Sequence, residues 1–141
     1  FFTCQQHAPK YFWKTAYQTH ANGARTIAEV VMVAPDPTAL ADFFAKLQGA
    51  ESVQAVGASL NVATARGRIA VMTPAAFGAR VPGERPAAAT PHFAAFRVAG
   101  IEPDAAAARL ASHGIPFRRS ADAVRIASAD AFGVAIELAA A

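Results

Sequence analysis

Apolar and polar positions along the chain switch between two periods, and the switches mark out its elements. Residues 27–34 (IAEVVMVA) form an apolar run rich in β-branched side chains, which predicts a buried strand. Pro35, Asp36 and Pro37 break it and supply the chemistry of a helix start. Over 37–48, Leu40, Phe43, Phe44 and Leu47 recur at steps of three and four, so all four are expected to be buried on one helix face, with Gly49 as the stop. Three short β-like stretches follow at 52–56, 60–65 and 68–73, parted by Gly57 and Gly67. The order is strand, helix, three strands.

The same order returns after a Pro- and Gly-rich stretch that predicts a crossover linker at 82–91, preceded by a single helical turn at 75–79. A strand at 92–98 leads to an alanine-rich helix at 102–112, stopped by Gly114, and to strands at 116–120, 124–128 and 134–139. A supersecondary unit that occurs twice implies two copies of one module. A four-stranded sheet with a helix on one face leaves its other face bare, so the copies are expected to pair and enclose it. The predicted fold is α+β, two βαβββ modules at 26–81 and 92–141 making a cupped, partly open mixed sheet. Residues 1–6 read like the middle of a strand and 9–25 like a connector, so 1–25 is expected to come from a preceding domain.

Composition narrows the function. Hydrophobic residues make up 54% of the 141, enough for a core, but many are alanines, which bury little area; the two halves should therefore depend on one another. A net charge of +3 from scattered arginines and lysines, without a basic run, argues against a nucleic-acid partner. One cysteine, Cys4, rules out a disulfide within the chain and multi-cysteine zinc motifs, and it is expected to be buried and inert. With no membrane-spanning apolar stretch, a cytoplasmic protein is the expectation.

The segments DPTALADFFAKLQGA, ASHGIPF and SADAFGVAIEL, set in this twofold order, resemble the glyoxalase-like, bleomycin-resistance and extradiol-dioxygenase (vicinal oxygen chelate) superfamily over residues 26–141. FFTCQQHAPKYFW followed by QTHANGA is similar to the seam between two such domains, which would make this chain the C-terminal domain of a longer protein. In metal-using relatives, a histidine early in a module's first strand and a glutamate in its last strand supply two ligands per module. The resemblance thus makes Glu137, Glu29, His92 and His7 the metal candidates, but Ala70 stands where the first module would need its second ligand. Too few ligands remain for tight binding, so no cofactor is expected in this fragment, with a divalent metal as the alternative.

Strand parity sharpens the choice. If Val98, Phe96 and Ala94 pack on the helix side, then Phe93, Ala95 and Arg97 face the cup, and only a bulge would turn His92 inward. Carboxylates on apolar strands need partners, and neighbouring strands offer Arg68 to Glu29 and Arg97 to Glu137. Arg125 shares the parity of Arg97, and guanidinium groups inside a cup suit a carboxylate. The ligand-binding candidates are therefore Arg97, Arg125, Phe93 and Arg68. His113 reads as stabilising a helix end, His20 as a solvated loop residue, and Tyr11, Phe12, Trp13 and Tyr17 as a docking patch.

Three functions follow as expectations. The first is a glyoxalase-like domain that binds a small, carboxylate-bearing molecule, with any catalysis partly outside this fragment. The second is a metal-free binding or resistance protein, and the third a divalent-metal lyase or dioxygenase. The expected partners are a small molecule, the preceding domain and a second copy of the chain; neither nucleic acid nor membrane is expected.

Overall fold

The computed structural model describes residues 5–87 and 89–140. Cys4 and most of the strand expected at 1–6 lie outside the described residues. Strand β1 (Thr26–Val33) runs into Asp36, whose carboxylate accepts from the amides of Thr38 at 3.0 Å and Ala39 at 3.3 Å, and so satisfies the first orphan donors of a 3-10 turn that continues as α1 (Ala41–Gln48). Strands β2 (Val53–Val56), β3 (Ser59–Ala63) and β4 (Arg68–Met72) complete the first module. Helix α2 (Pro74–Arg80) crosses to the second, made of β5 (His92–Ala99), α3 (Pro103–Ser112), β6 (Arg118–Arg119), β7 (Ala123–Ile126) and β8 (Ala135–Ala139).

All eight strands form one open sheet in the order β2-β3-β4-β1-β5-β8-β7-β6. Within each module the first strand pairs in parallel with the last, β1 with β4 and β5 with β8, and the modules join through an antiparallel β1–β5 pair. The order therefore reads alike outward from that seam, as two copies related by a rough twofold should. Among the described residues no helix is long and apolar enough to cross a membrane.

Two details differ from the sequence-based expectation. On α1 only Phe44 is fully buried, at 0% exposure, while Phe43 and Leu47 are each 39% exposed and Leu40 is half-buried. An eight-residue helix resting on one half-sheet presses a single row of side chains inward, and Phe43 lies beside that row, edge-on to Phe44 with ring centroids 5.2 Å apart. The turn expected at 75–79 is the seven-residue helix α2, capped by the Thr73 hydroxyl, which accepts from the Ala76 amide at 3.2 Å. It lies across the concave face. Phe77, 1% exposed, packs there on Val31, Ala70, Ala94, Ala95 and Ala135, whose small side chains leave it room. The middle of the cup, where the two modules meet, is filled by the protein itself.

Gly67, between β3 and β4, faces the back of β1: a Cβ there would stand 2.5 Å from the Ala28 carbonyl oxygen and 2.8 Å from that of Ile27. Both are backbone atoms in a paired strand and cannot swing aside. Gly67→Ala is expected to cost about 1–3 kcal/mol, as overpacking does; an unchanged urea midpoint would refute the close approach.

Candidate functional site

One line of charged residues crosses the concave face. Residues that are Cα partners in neighbouring strands point to the same side of a sheet. The register pairs Arg68 with Glu29, Glu29 with Arg97, Arg97 with Glu137, Glu137 with Arg125 and Arg125 with Arg118. Six side chains on six adjacent strands thus lie in one row. Two residues along from Glu29, Arg97 and Glu137, on the same face, Val31, Ala95 and Ala135 pack beneath α2, which fixes the row in the cup.

The row's acids are engaged. Glu29, 2% exposed, accepts from Arg68 Nε at 2.8 Å and from Arg80 Nη1 at 3.2 Å on Oε1, while Arg80 Nη2 closes on Oε2. Burial alone would push the Glu29 carboxyl up, but Arg80 and then Arg68, through hydrogen bonds and charge, outweigh it and hold the group below its ordinary range. Arg97 bridges Glu137 Oε1 at 3.0 Å and Asp122 Oδ2 at 2.8 Å. The Asp122 hydrogen bond raises Arg97 above its ordinary value, and the same guanidinium lowers Asp122.

Arg125 and Arg118 stand otherwise. They are direct cross-strand partners of like charge; Arg125 donates to the Pro82 carbonyl at 3.1 Å, and among the described residues neither forms an ion pair. With Arg80, Arg97 and Arg119 they line a pocket of about 280 Å³ whose acids are Asp122 and Glu137. Deeper, between Val81 and the centre of the row, about 10 Å³ remains, space for no more than a water. Along the row, among the described residues, the room for a ligand lies over the second module.

The other candidates fall elsewhere. Val31 pairs with Ala95 but Met32 with Phe93, so Ala94 is a bulge. Beyond it the parity reverses, contrary to the regular strand expected. Phe93 sides with Met32, which packs with Phe44 under α1, and is turned from the cup; His92 sides with Val33 on the cup face. His92 is nevertheless not brought to Glu137. It stands five residues along β5 from Arg97, the partner of Glu137, roughly 15 Å at a strand's rise, and its Nδ1 meets the Thr90 carbonyl at 2.8 Å. His7 is exposed in the N-terminal segment, near two 3-10 turns that carry the exposed Tyr11, Phe12, Trp13 and Tyr17.

These residues do not fit a divalent ion. Among the described residues no three of His, Cys, Asp or Glu gather as a metal would need. The two acids of the row are neutralised by guanidinium groups, and the position between them carries Arg97, whose charge repels a cation.

Arg80, Arg118, Arg119 and Asp122 were not anticipated from sequence. Arg80 was legible in principle: three residues after Phe77, it shares that residue's face once 74–80 is read as helix. Asp122 reaches Arg97 from the β6–β7 turn, a placement no periodicity reports.

No protein-family model matches the chain, and no curated protein matches it. Solved structures do. Methylmalonyl-CoA epimerase from Mycobacterium tuberculosis superposes with a TM-score of 0.61 at 18% identity, over 90% of this chain and 95% of its own. This chain has the vicinal oxygen chelate fold. Two further structures share that fold: a methylmalonyl-CoA epimerase in complex with methylmalonyl-CoA and NH4+ (TM-score 0.54, 17% identity, 84% and 95% covered) and a variant of the Streptomyces coelicolor enzyme in complex with 2-nitronate-propionyl-CoA (0.53, 16%, 84% and 95%). At such identities the vicinal oxygen chelate likeness is one of fold and leaves the chemistry to the residues above.

Proposed function

We propose that this chain binds a small carboxylate-bearing molecule in the cup of its second module, without a metal ion, the acid lying between Arg118 and Arg125. The observation that carries this reading is that pair. Two like charges directly opposite on a sheet destabilise it, and the nearest acid, Glu137, is engaged by Arg97. An incoming carboxylate relieves the repulsion and gains charge-assisted, bidentate hydrogen bonds. The neighbours' names support an anionic ligand, because methylmalonyl-CoA carries a carboxylate.

Proton transfer is the weaker reading. Glu29 is the buried carboxylate of the cup, but two guanidinium groups hold it ionised and lower its basicity, the reverse of what a general base near neutral pH needs. The test is calorimetric titration with methylmalonate and with its dimethyl ester. The acid is expected to bind and the ester not, with Arg125→Ala and Arg118→Ala each weakening the acid at least tenfold, the scale of one hydrogen bond to a charged group. EDTA is expected to change nothing. Loss of binding in EDTA, or full affinity in both variants, would overturn the proposal.

A further inference from the structure

A larger cavity, about 600 Å³, lies on the opposite face of the second module, outside the arginine pocket. Its floor is Ile126, Ile136 and Leu138, of which Ile126 and Ile136 are cross-strand partners. It exists because the two helices of the repeat differ. Aligned on their first-turn aspartates, Asp42 and Asp104, α1 brings Phe44 to its sheet where α3 brings Ala106. In the second module the ring at the core is Phe117, from outside the helix, and α3 leaves Ile126, Ile136 and Leu138 only partly covered beside it.

The space is a groove, half open to solvent, with a second wall facing the helix. Residues His20, Ala21 and Asn22 lie against it, and the turn they belong to is clamped at its end. Gly23 and Gly100 both have positive φ, at +82° and +92°, and a Cβ on Gly23 would come within 2.9 Å of the Gly100 carbonyl oxygen. The Arg25 amide, hydrogen-bonded to the Ala99 carbonyl at 2.9 Å, extends the clamp. The charged or titratable groups at the cavity are of one kind: Arg109, His20 and His113, with no acid among the lining residues. His113 is held in place at the helix end, its Nδ1 meeting the Arg109 carbonyl at 2.8 Å.

We infer that this cavity is a second binding site, which takes a small hydrocarbon-bodied acid. The apolar body lies beside Ala105 and Ala106, over the isoleucine floor, and the acid group lies at Arg109. A volume of this size matches the usual range for small-molecule pockets, whose linings likewise combine an apolar floor with a few polar groups at the rim. The site is independent of the arginine pocket.

The probe is 1-anilinonaphthalene-8-sulfonate, an aromatic body with one acid group, followed by fluorescence and displaced with decanoate. One saturable site is expected on the native chain, displaced by decanoate. Ala105→Phe, which fills the groove from an exposed helix position, and Arg109→Glu, which reverses the charge at an exposed position, are each expected to weaken the dye at least tenfold. Arg118→Ala is expected to leave it unchanged, so failure here is distinguishable from failure of the arginine pocket. Circular dichroism identifies a variant that does not fold, in which case Arg109→Glu alone decides. Absence of saturable binding, full affinity in a folded Arg109→Glu, or loss of the dye in Arg118→Ala would each overturn the inference.

Discussion

Phe44→Ala is expected to lower the stability of the chain by about 3–5 kcal/mol, a large share of what a small domain possesses. Phe44 has no exposed surface and packs with Met32, Ala34, Leu60, Val62 and Val71, so its removal takes a ring from the helix–sheet core of the first module. The neighbours that could collapse into the hole sit on hydrogen-bonded strands, which limits relaxation. Phe43→Ala, at a position 39% exposed, is expected to cost far less. Urea denaturation of the two variants tests the assignment of the buried face, and equal losses, or less than about 1 kcal/mol for Phe44→Ala, would refute it. Because the modules share one sheet, both should unfold in a single transition.

The double replacement Arg68→Ala with Arg80→Ala is expected to cost a comparable amount, about 3–5 kcal/mol, by leaving the Glu29 carboxylate buried and unpaired. Glu29→Gln should cost less, because the arginines it releases retain access to water. The pair of variants also carries a pH signature. The folded Glu29 carboxyl lies below its ordinary value of 4.5, so its contribution to stability is complete above about that pH and is lost as the pH falls through the folded value. The native chain is therefore expected to lose stability below about pH 4.5 more steeply than Glu29→Gln, and in the double-arginine variant that acid limb should flatten or reverse. Parallel acid limbs in all three would mean that the row is not the source of the dependence.

Much of this fold could be read from the chain because period and punctuation are local. The β-branched run that became β1, the three-and-four spacing behind α1, the glycines after both helices and the return of the whole order need only near neighbours to have their effect. Parity along a strand is local too, so the residues at 29, 68, 97 and 137 could be assigned to one face and paired before the register was known. The same locality explains the failures. Whether a strand keeps its parity depends on its partner: the bulge at Ala94 follows from how β5 fits β1, and it reversed Phe93 and His92 without any mark in the local pattern. Helix length at 74–80 was underestimated because Phe77 is the one large apolar residue there and leaves no period to count, although its burial against four strands lends the segment stability.

Local pattern alone was enough for the twofold βαβββ order and the rows of side chains that share a face. How those rows meet had to wait for the assembled sheet: Arg80 from the crossover helix neutralises Glu29, Asp122 draws Arg97, Arg118 and Arg125 are left opposite one another, and α3 leaves a groove over Ile126, Ile136 and Leu138. Periodicity is written by each residue's nearest neighbours along the chain. Charge balance and cavity volume depend on distances between residues far apart in sequence, and these exist only once the sheet has formed.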